Sequence, residues 1–153
     1  MNKINRKVEY ALIGLKHMRG KAPGQLTTAN ELTLHYGTPF DATSRVLQVL
    51  VQKGVLRSEQ GAHGGYMITK DLSRVSFHEL SEMILGPLAV ARCLHEDGES
   101  GCEIRETCNI ISPVQTLNRR LNEFYRSLSV ADLLESTADK KGVAWKTDPA
   151  PSR

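Results

Sequence analysis

Thr28-Ala29-Asn30-Glu31-Leu32-Thr33-Leu34-His35-Tyr36-Gly37-Thr38-Pro39-Phe40-Asp41-Ala42-Thr43-Ser44-Arg45 is the stretch whose reading settles the fold. Thr28 stands where a helix N-cap belongs, and Glu31, three residues on, can return to the Thr28 backbone to complete a capping box. The pattern predicts a short helix ending near Tyr36. Gly37 suits the left-handed turn that closes it, and Thr38-Pro39 offers a second N-cap with proline at the first helical position. The next helix carries Val46, Leu47, Leu50 and Val51 on one face and stops at Lys53-Gly54. Two short helices joined by a glycine-containing turn are the signature of a helix-turn-helix.

Past Gly54 the period becomes extended. Val55-Leu56-Arg57-Ser58-Glu59 and Tyr66-Met67-Ile68-Thr69 flank Gln60-Gly61-Ala62-His63-Gly64-Gly65, which predicts a β-hairpin with a loop longer than two residues. A hairpin directly behind a helix-turn-helix is a wing. Its glycines serve a tight turn and close approach to another backbone. Upstream, Val8, Ala11, Leu12, Leu15 and Met18 follow the spacing of an amphipathic helix that Gly20 and Pro23-Gly24 stop. Downstream, Ser76 and Glu79 form another capping box, opening a helix with Leu80, Met83 and Ile84 that ends at Gly86-Pro87.

From Pro87 to Ile111 the apolar period fades, and Cys93, His95, Glu96, Asp97, Glu99, Cys102, Glu103, Glu106 and Cys108 gather. Ser112-Pro113 then starts a long helix with Val114, Leu117, Leu121, Phe124 and Leu128 spaced alternately three and four apart, an a/d seam that wants a partner helix. Either a second subunit or the helix's own domain can cover that seam. Beyond Glu135 the chain turns polar and reads as a flexible tail containing Trp145. The expected organisation is a winged helix-turn-helix over 1–86, a cysteine-containing loop over 87–111, a dimerisation helix over 112–135 and a tail over 136–153. The fold class is mainly α with a small β-hairpin.

At 153 residues with 40% apolar and 5% aromatic content, the chain is one globular unit by length. No window reaches the roughly 18 apolar residues of a membrane span, and the first seven residues lack the core of a signal peptide, so a cytoplasmic protein without a membrane partner is expected. The net charge of +3 conceals a division: residues 1–75 hold 11 Lys+Arg against 5 Asp+Glu, and residues 76–153 hold 9 against 12. A basic front half suits a polyanion, because each phosphate neutralised releases counterions. Catalysis is not expected: the sequence has no phosphate-cradling glycine loop, no HExxH and no GxSxG elbow.

In a helix-turn-helix the second helix places its N-terminal residues on base edges in the major groove. Here those residues include Thr43, Ser44 and Arg45, with Gln48 one turn on. Arg45 can hold guanine O6/N7 in bidentate fashion, Gln48 can address adenine, and Thr43 and Ser44 can donate to bases or phosphates. Asp41 is either a cytosine reader or the helix-end partner of Thr38. Along the wing, Lys53, Arg57, Gln60 and His63 offer donors to a DNA backbone or minor groove.

Cys93, Cys102 and Cys108 fall at C-x8-C-x5-C, with no cysteine elsewhere. An odd number of thiols argues against a disulfide framework. Three chemistries remain open: an iron-sulphur cluster with one site left for a different ligand, a zinc site completed by His95, or thiol switching without a metal.

Taken together, Tyr10-Ala11-Leu12, Lys53-Gly54-Val55-Leu56-Arg57-Ser58, the wing Gly61-Ala62-His63-Gly64-Gly65-Tyr66 and three cysteines before a long helix resemble the Rrf-two regulators, the IscR, NsrR and RirA group. The resemblance spans roughly residues 4 to 135. It implies a homodimer that binds operator DNA and carries a 2Fe-2S or 4Fe-4S cluster sensing redox state, nitric oxide or iron and cluster status. On that resemblance Cys93, Cys102 and Cys108 are the cluster ligands, and Glu9 of the partner subunit corresponds to an acidic fourth ligand. Ser44, Arg45 and the wing, Gly64 included, become the DNA surface. The chain departs from the pattern in the eight-residue first cysteine gap, usually five, and in Ile111 where some members have histidine. Gln60 also replaces the usual wing arginine, and His63 a glycine. A metal-free thiol switch or a zinc-binding interaction module of the same fold is the alternative.

Overall fold

The structure is a computed structural model that describes residues 3–94 and 102–135. The first helix, α1 (Arg6–Arg19), starts where the Asn5 side chain accepts a hydrogen bond from the Lys7 amide at 2.9 Å. It buries Val8, Ala11, Leu15 and Met18, the predicted stripe, with Leu12 half-buried beside them. Helix α2 (Ala29–Tyr36) is capped by Thr28, whose Oγ1 accepts from the Glu31 amide at 3.0 Å, and closed by Gly37 at φ 68°. Only this arm of the expected capping box forms. The Glu31 carboxylate turns instead to His17 Nε2 at 2.7 Å and Lys21 Nζ at 2.6 Å, because two cationic or hydrogen-bonding partners, one on α1 and one just past its end, outcompete one backbone amide.

Helix α3 (Phe40–Gln52) begins one residue later than its sequence suggests, with Pro39 as the cap and no side-chain cap bond. Thr38 is not the cap: it is 4% exposed and its Oγ1 has no partner, so Asp41 does not pair with it either. Pro39, extended at ψ 128°, turns the chain before the helix starts and leaves Thr38 pointing inward. Strands β1 (Leu56–Glu59) and β2 (Gly65–Ile68) pair antiparallel from Leu56↔Ile68 to Glu59↔Gly65. Thr27 then pairs with Tyr66 through both amides, at 2.9 and 2.8 Å, fastening the wing to the entry of α2.

A single 3-10 turn, Leu72–Arg74, leads to α4 (Phe77–Leu85), where both arms of the Ser76/Glu79 capping box are present. The expected dimerisation helix over 112–135 is two helices, α5 (Ile111–Ser127) and α6 (Val130–Glu135). The break at Leu128 and Ser129 is made by pairing: the Phe77 amide donates to Leu128 O and the Val130 amide to Val75 O, both at 2.8 Å. Two tertiary backbone bonds replace the helical ones there, and Leu128 leaves the seam. Pro113 sits in the first turn of α5, where amides lack helical acceptors anyway.

The core gathers Leu15, Leu32, Leu47, Leu50, Val55 and Leu80 with Val130, Ala131 and Leu134 from α6. The winged domain is therefore not closed by residues 1–86 alone. Among the described residues no helix is long and apolar enough to cross a membrane. His95, the proposed zinc partner, and the tail with Trp145 lie outside the described residues.

Candidate nucleic-acid interface and cysteine site

The core-facing side of α3 is Thr43, Val46, Leu47 and Leu50, which leaves Phe40, Ser44 and Gln48 as a stripe at i, i+4 and i+8 on the outer side. An open cleft of about 530 Å³ runs between this stripe, the first turn of α2 and the wing, and Ser44, Gln48, Gln60 and Gly64 all line it. Four of the expected contact residues are thus brought to one surface. Arg45 is exposed on the adjoining side of α3, over a second groove that it shares with Lys7, Val49 and Ile84. Its guanidinium makes no ion pair among the described residues.

Thr43 corrects the expectation of a base contact: it is 1% exposed and faces the core. The helical period explains this, since position 43 shares its face with Leu47 and Leu50. Arg57 is exposed, but its guanidinium is occupied by Glu59 at 3.2 Å and by Met67 Sδ at 2.9 Å. His63 is exposed in the wing loop. Gly64 has a local requirement: a Cβ there would stand 2.3 Å from Glu59 O. Its amide donates to Gly61 O at 3.0 Å, closing the loop.

The cleft also includes Phe40, Asn30, Tyr66 and Glu59. Asn30 and Tyr66 carry no contact signal in the sequence, because the Thr27 pairing across to β2 is what brings them alongside α3. Behind α2, His17 Nδ1 meets the Tyr36 hydroxyl at 2.8 Å while Nε2 meets Glu31. Burial acts to raise the Glu31 pKa, but hydrogen bonds from Lys21 and His17 outweigh it and hold the carboxyl below its ordinary range. This network locks α2, and with it the turn to α3, onto α1.

The cysteine segment hangs from α5. The Val90 amide donates to Asn118 Oδ1 at 3.0 Å, and Cys93 follows in the one-turn 3-10 helix Arg92–Leu94. Cys93 and Cys102 line one open cavity of about 440 Å³ together with Arg92 and Glu103. The Arg105 amide donates to Cys102 O at 3.2 Å and its guanidinium to Cys93 O at 3.5 Å, drawing the two cysteine backbones together. Cys108 lies three residues before α5 and does not line that cavity. All three thiols are half-buried and unbridged. Among the described residues no three His, Cys, Asp or Glu side chains are gathered to hold a metal ion. Glu9 sits on α1 in an ion pair with Arg6 at 2.8 Å, apart from the cysteine cavity of its own subunit.

Helix α5 buries no residue fully. Leu117 and Phe124 are 57% and 56% exposed, while Tyr125 packs edge-on against Phe77 of α4 at 5.1 Å.

The family model of Rrf2, described as an iron-dependent transcriptional regulator, matches residues 4–136. An HTH-type transcriptional regulator named rrf2-like, from Rhodobacter capsulatus, is 33% identical over 103 residues, covering 65% of this chain and 69% of that protein. Among solved structures, CymR, the global cysteine regulator of B. subtilis, superposes with a TM-score of 0.66 at 19% identity, over 90% of this chain and 99% of that one. T. potens IscR does so with a TM-score of 0.62 at 16% identity, over 88% and 87%. These two likenesses establish the winged fold, and the family match and the bacterial relative establish the kinship. The chain belongs to the Rrf2 family and is a DNA-binding transcriptional regulator rather than an enzyme.

Proposed function

We propose that the chain acts as a homodimer that grips operator DNA through α3 and the wing and carries an iron-sulphur cluster on Cys93, Cys102 and Cys108. The observation behind this reading is that Cys93 and Cys102, separated by eight residues, face one cavity, with their backbones bridged by Arg105. Soft thiolates suit such a cluster, 2Fe-2S or 4Fe-4S, and three of them leave a position for the partner subunit's Glu9. When bound, the group supplies a centre that responds to redox state, nitric oxide or iron supply.

The protein's own part is mechanical. Both ends of the cysteine segment are tied to α5, by the Val90 hydrogen bond to Asn118 and by the chain itself, which enters α5 at Ile111 three residues after Cys108. Helix α5 packs on α4 and α4 on α3, so a change in how the thiols are held reaches the recognition helices through packed elements. The exposed Leu117 and Phe124 face of α5 supports the homodimer, since two paired half-sites demand a fixed spacing.

Anaerobic purification tests the reading. The expected product is coloured, contains iron and sulphide, and loses both with Cys102→Ser. Colourless protein without iron overturns it. One observation favours a second reading: among the described residues no set of three ligands is gathered in advance, as fits a thiol switch, and S. aureus CymR, which shares the fold at 15% identity and a TM-score of 0.65, has been solved in an oxidised form. On that reading the metal-free protein loses operator affinity on mild oxidation and regains it with reductant.

A further inference from the structure

Phe40 is a large aromatic side chain left 51% exposed at the first residue of a helix whose other exposed side chains, Asp41, Arg45, Gln48 and Gln52, are polar. Among the described residues its ring pairs with no other aromatic ring, whereas the equally exposed Tyr36 stands against His17 and His35. It lies in the cleft with Ser44 and Gln48, and none of the α5 residues that form the apolar seam lines that cleft. The apolar seam of its own subunit therefore leaves it uncovered.

Helical geometry gives the direction. Each Cα–Cβ bond tilts toward the helix N-terminus, so the ring of the first residue projects past the end of α3, the end that enters the major groove most deeply. Along the floor of that groove the one apolar feature is the C5-methyl of thymine. The Phe40, Ser44 and Gln48 stripe presents an apolar group, a hydroxyl and an amide in order, one turn apart.

We infer that Phe40 reads a thymine methyl in each operator half-site and so fixes a T·A pair beside the bases addressed by Ser44 and Gln48. The inference rests on α3 being the base-reading helix. Removal of a single methyl from the contact is expected to weaken binding about fourfold per half-site, the equivalent of ~0.8 kcal/mol.

The test begins with a random-sequence duplex pool, from which the full chain selects its sites. The preferred duplex is then remade with deoxyuridine in place of thymine, one position at a time, which deletes only the methyl. The expected result is one symmetric pair of positions where the substitution weakens wild-type binding about fourfold each. Phe40→Ala, at an exposed position that leaves the core intact, binds the thymine duplex more weakly and shows no thymine-to-uracil difference there. Phe40→Leu keeps the difference. Uniform tolerance of deoxyuridine by the wild type, or a Phe40→Ala variant with an unchanged ratio, overturns the inference while leaving α3 as the reader. Failure to select any sequence, or selected binding indifferent to Gln48→Ala and Arg45→Ala, overturns the reading of α3 and the inference with it.

Discussion

At the scale of single residues, Gly64 and Glu59 make opposite predictions. A Cβ at Gly64 would stand 2.3 Å from a backbone oxygen that cannot swing aside, so the hairpin itself must shift. Gly64→Ala should lower the melting temperature by about 3–10 °C, on the scale of an overpacked site in a domain this size. Gly20→Ala, at φ −78° with only ordinary contacts, should change it little in the same thermal scan. Glu59 places a carboxylate on the wall of the cleft and also occupies the Arg57 guanidinium. Glu59→Gln should tighten duplex binding by about threefold to tenfold and steepen its salt dependence, because it removes a repulsion and frees a phosphate donor. A titration across several salt concentrations measures both effects, and unchanged affinity would remove Glu59 from the interface. That Ser44, Arg45 and Gln48 stand off the buried face of α3 is legible from helical position alone. The same period accounts for Thr43, since counting back from Leu47 and Leu50 turns it inward, away from any base.

At the scale of elements, α5 shows most clearly where the sequence runs out. Its spacing of three and four identifies an apolar stripe, and Leu117 and Phe124 do remain exposed on it. The same spacing carried the predicted helix through Leu128, where bonds from Phe77 and to Val75 break it. Those partners lie about fifty residues away, beyond the reach of any local pattern. Ser129 is the local sign of that break, as its hydroxyl accepts from the Asp132 amide at 3.0 Å at the start of α6. Phe124→Asp is expected to convert the protein to a monomer in sedimentation experiments and to lower operator affinity by more than tenfold, with the far-ultraviolet spectrum unchanged. A dimer that survives both Phe124→Asp and Leu117→Asp would place the subunit contact elsewhere.

For the whole molecule, acid stability follows from carboxylates that the fold holds ionised. Burial opposes ionisation of Glu31 but the Lys21 and His17 bonds prevail, while at Glu79 the Ser76 amide is the chief cause. Both sit below the ordinary value of 4.5. Because their folded pKa values are depressed, the unfolded chain binds more protons, so their contribution is complete above that ordinary value. It disappears as pH falls through the folded values. Urea midpoints should show Glu31→Gln and Glu79→Gln destabilised at pH 7 and converging on wild type in acid. A deficit that persists unchanged at low pH would mean the charge is not the cause.

The sequence by itself determined what depends on near neighbours: the helix periods, the Ser76 cap, the turn at Gly37, the wing, and a lone set of three thiols. Each rests on residues within a turn or two of one another. Only the tertiary structure decided that the Glu31 carboxylate leaves its cap for His17 of α1 and for Lys21, that Thr27 carries the wing to the first turn of α2, and that α6 completes the core. It also decided that Cys93 and Cys102 share a cavity from which Cys108 is absent. The physical reason is common to all four. A polar or apolar group takes the strongest partner that folding brings within reach, and that partner is set by packing between segments far apart in the chain.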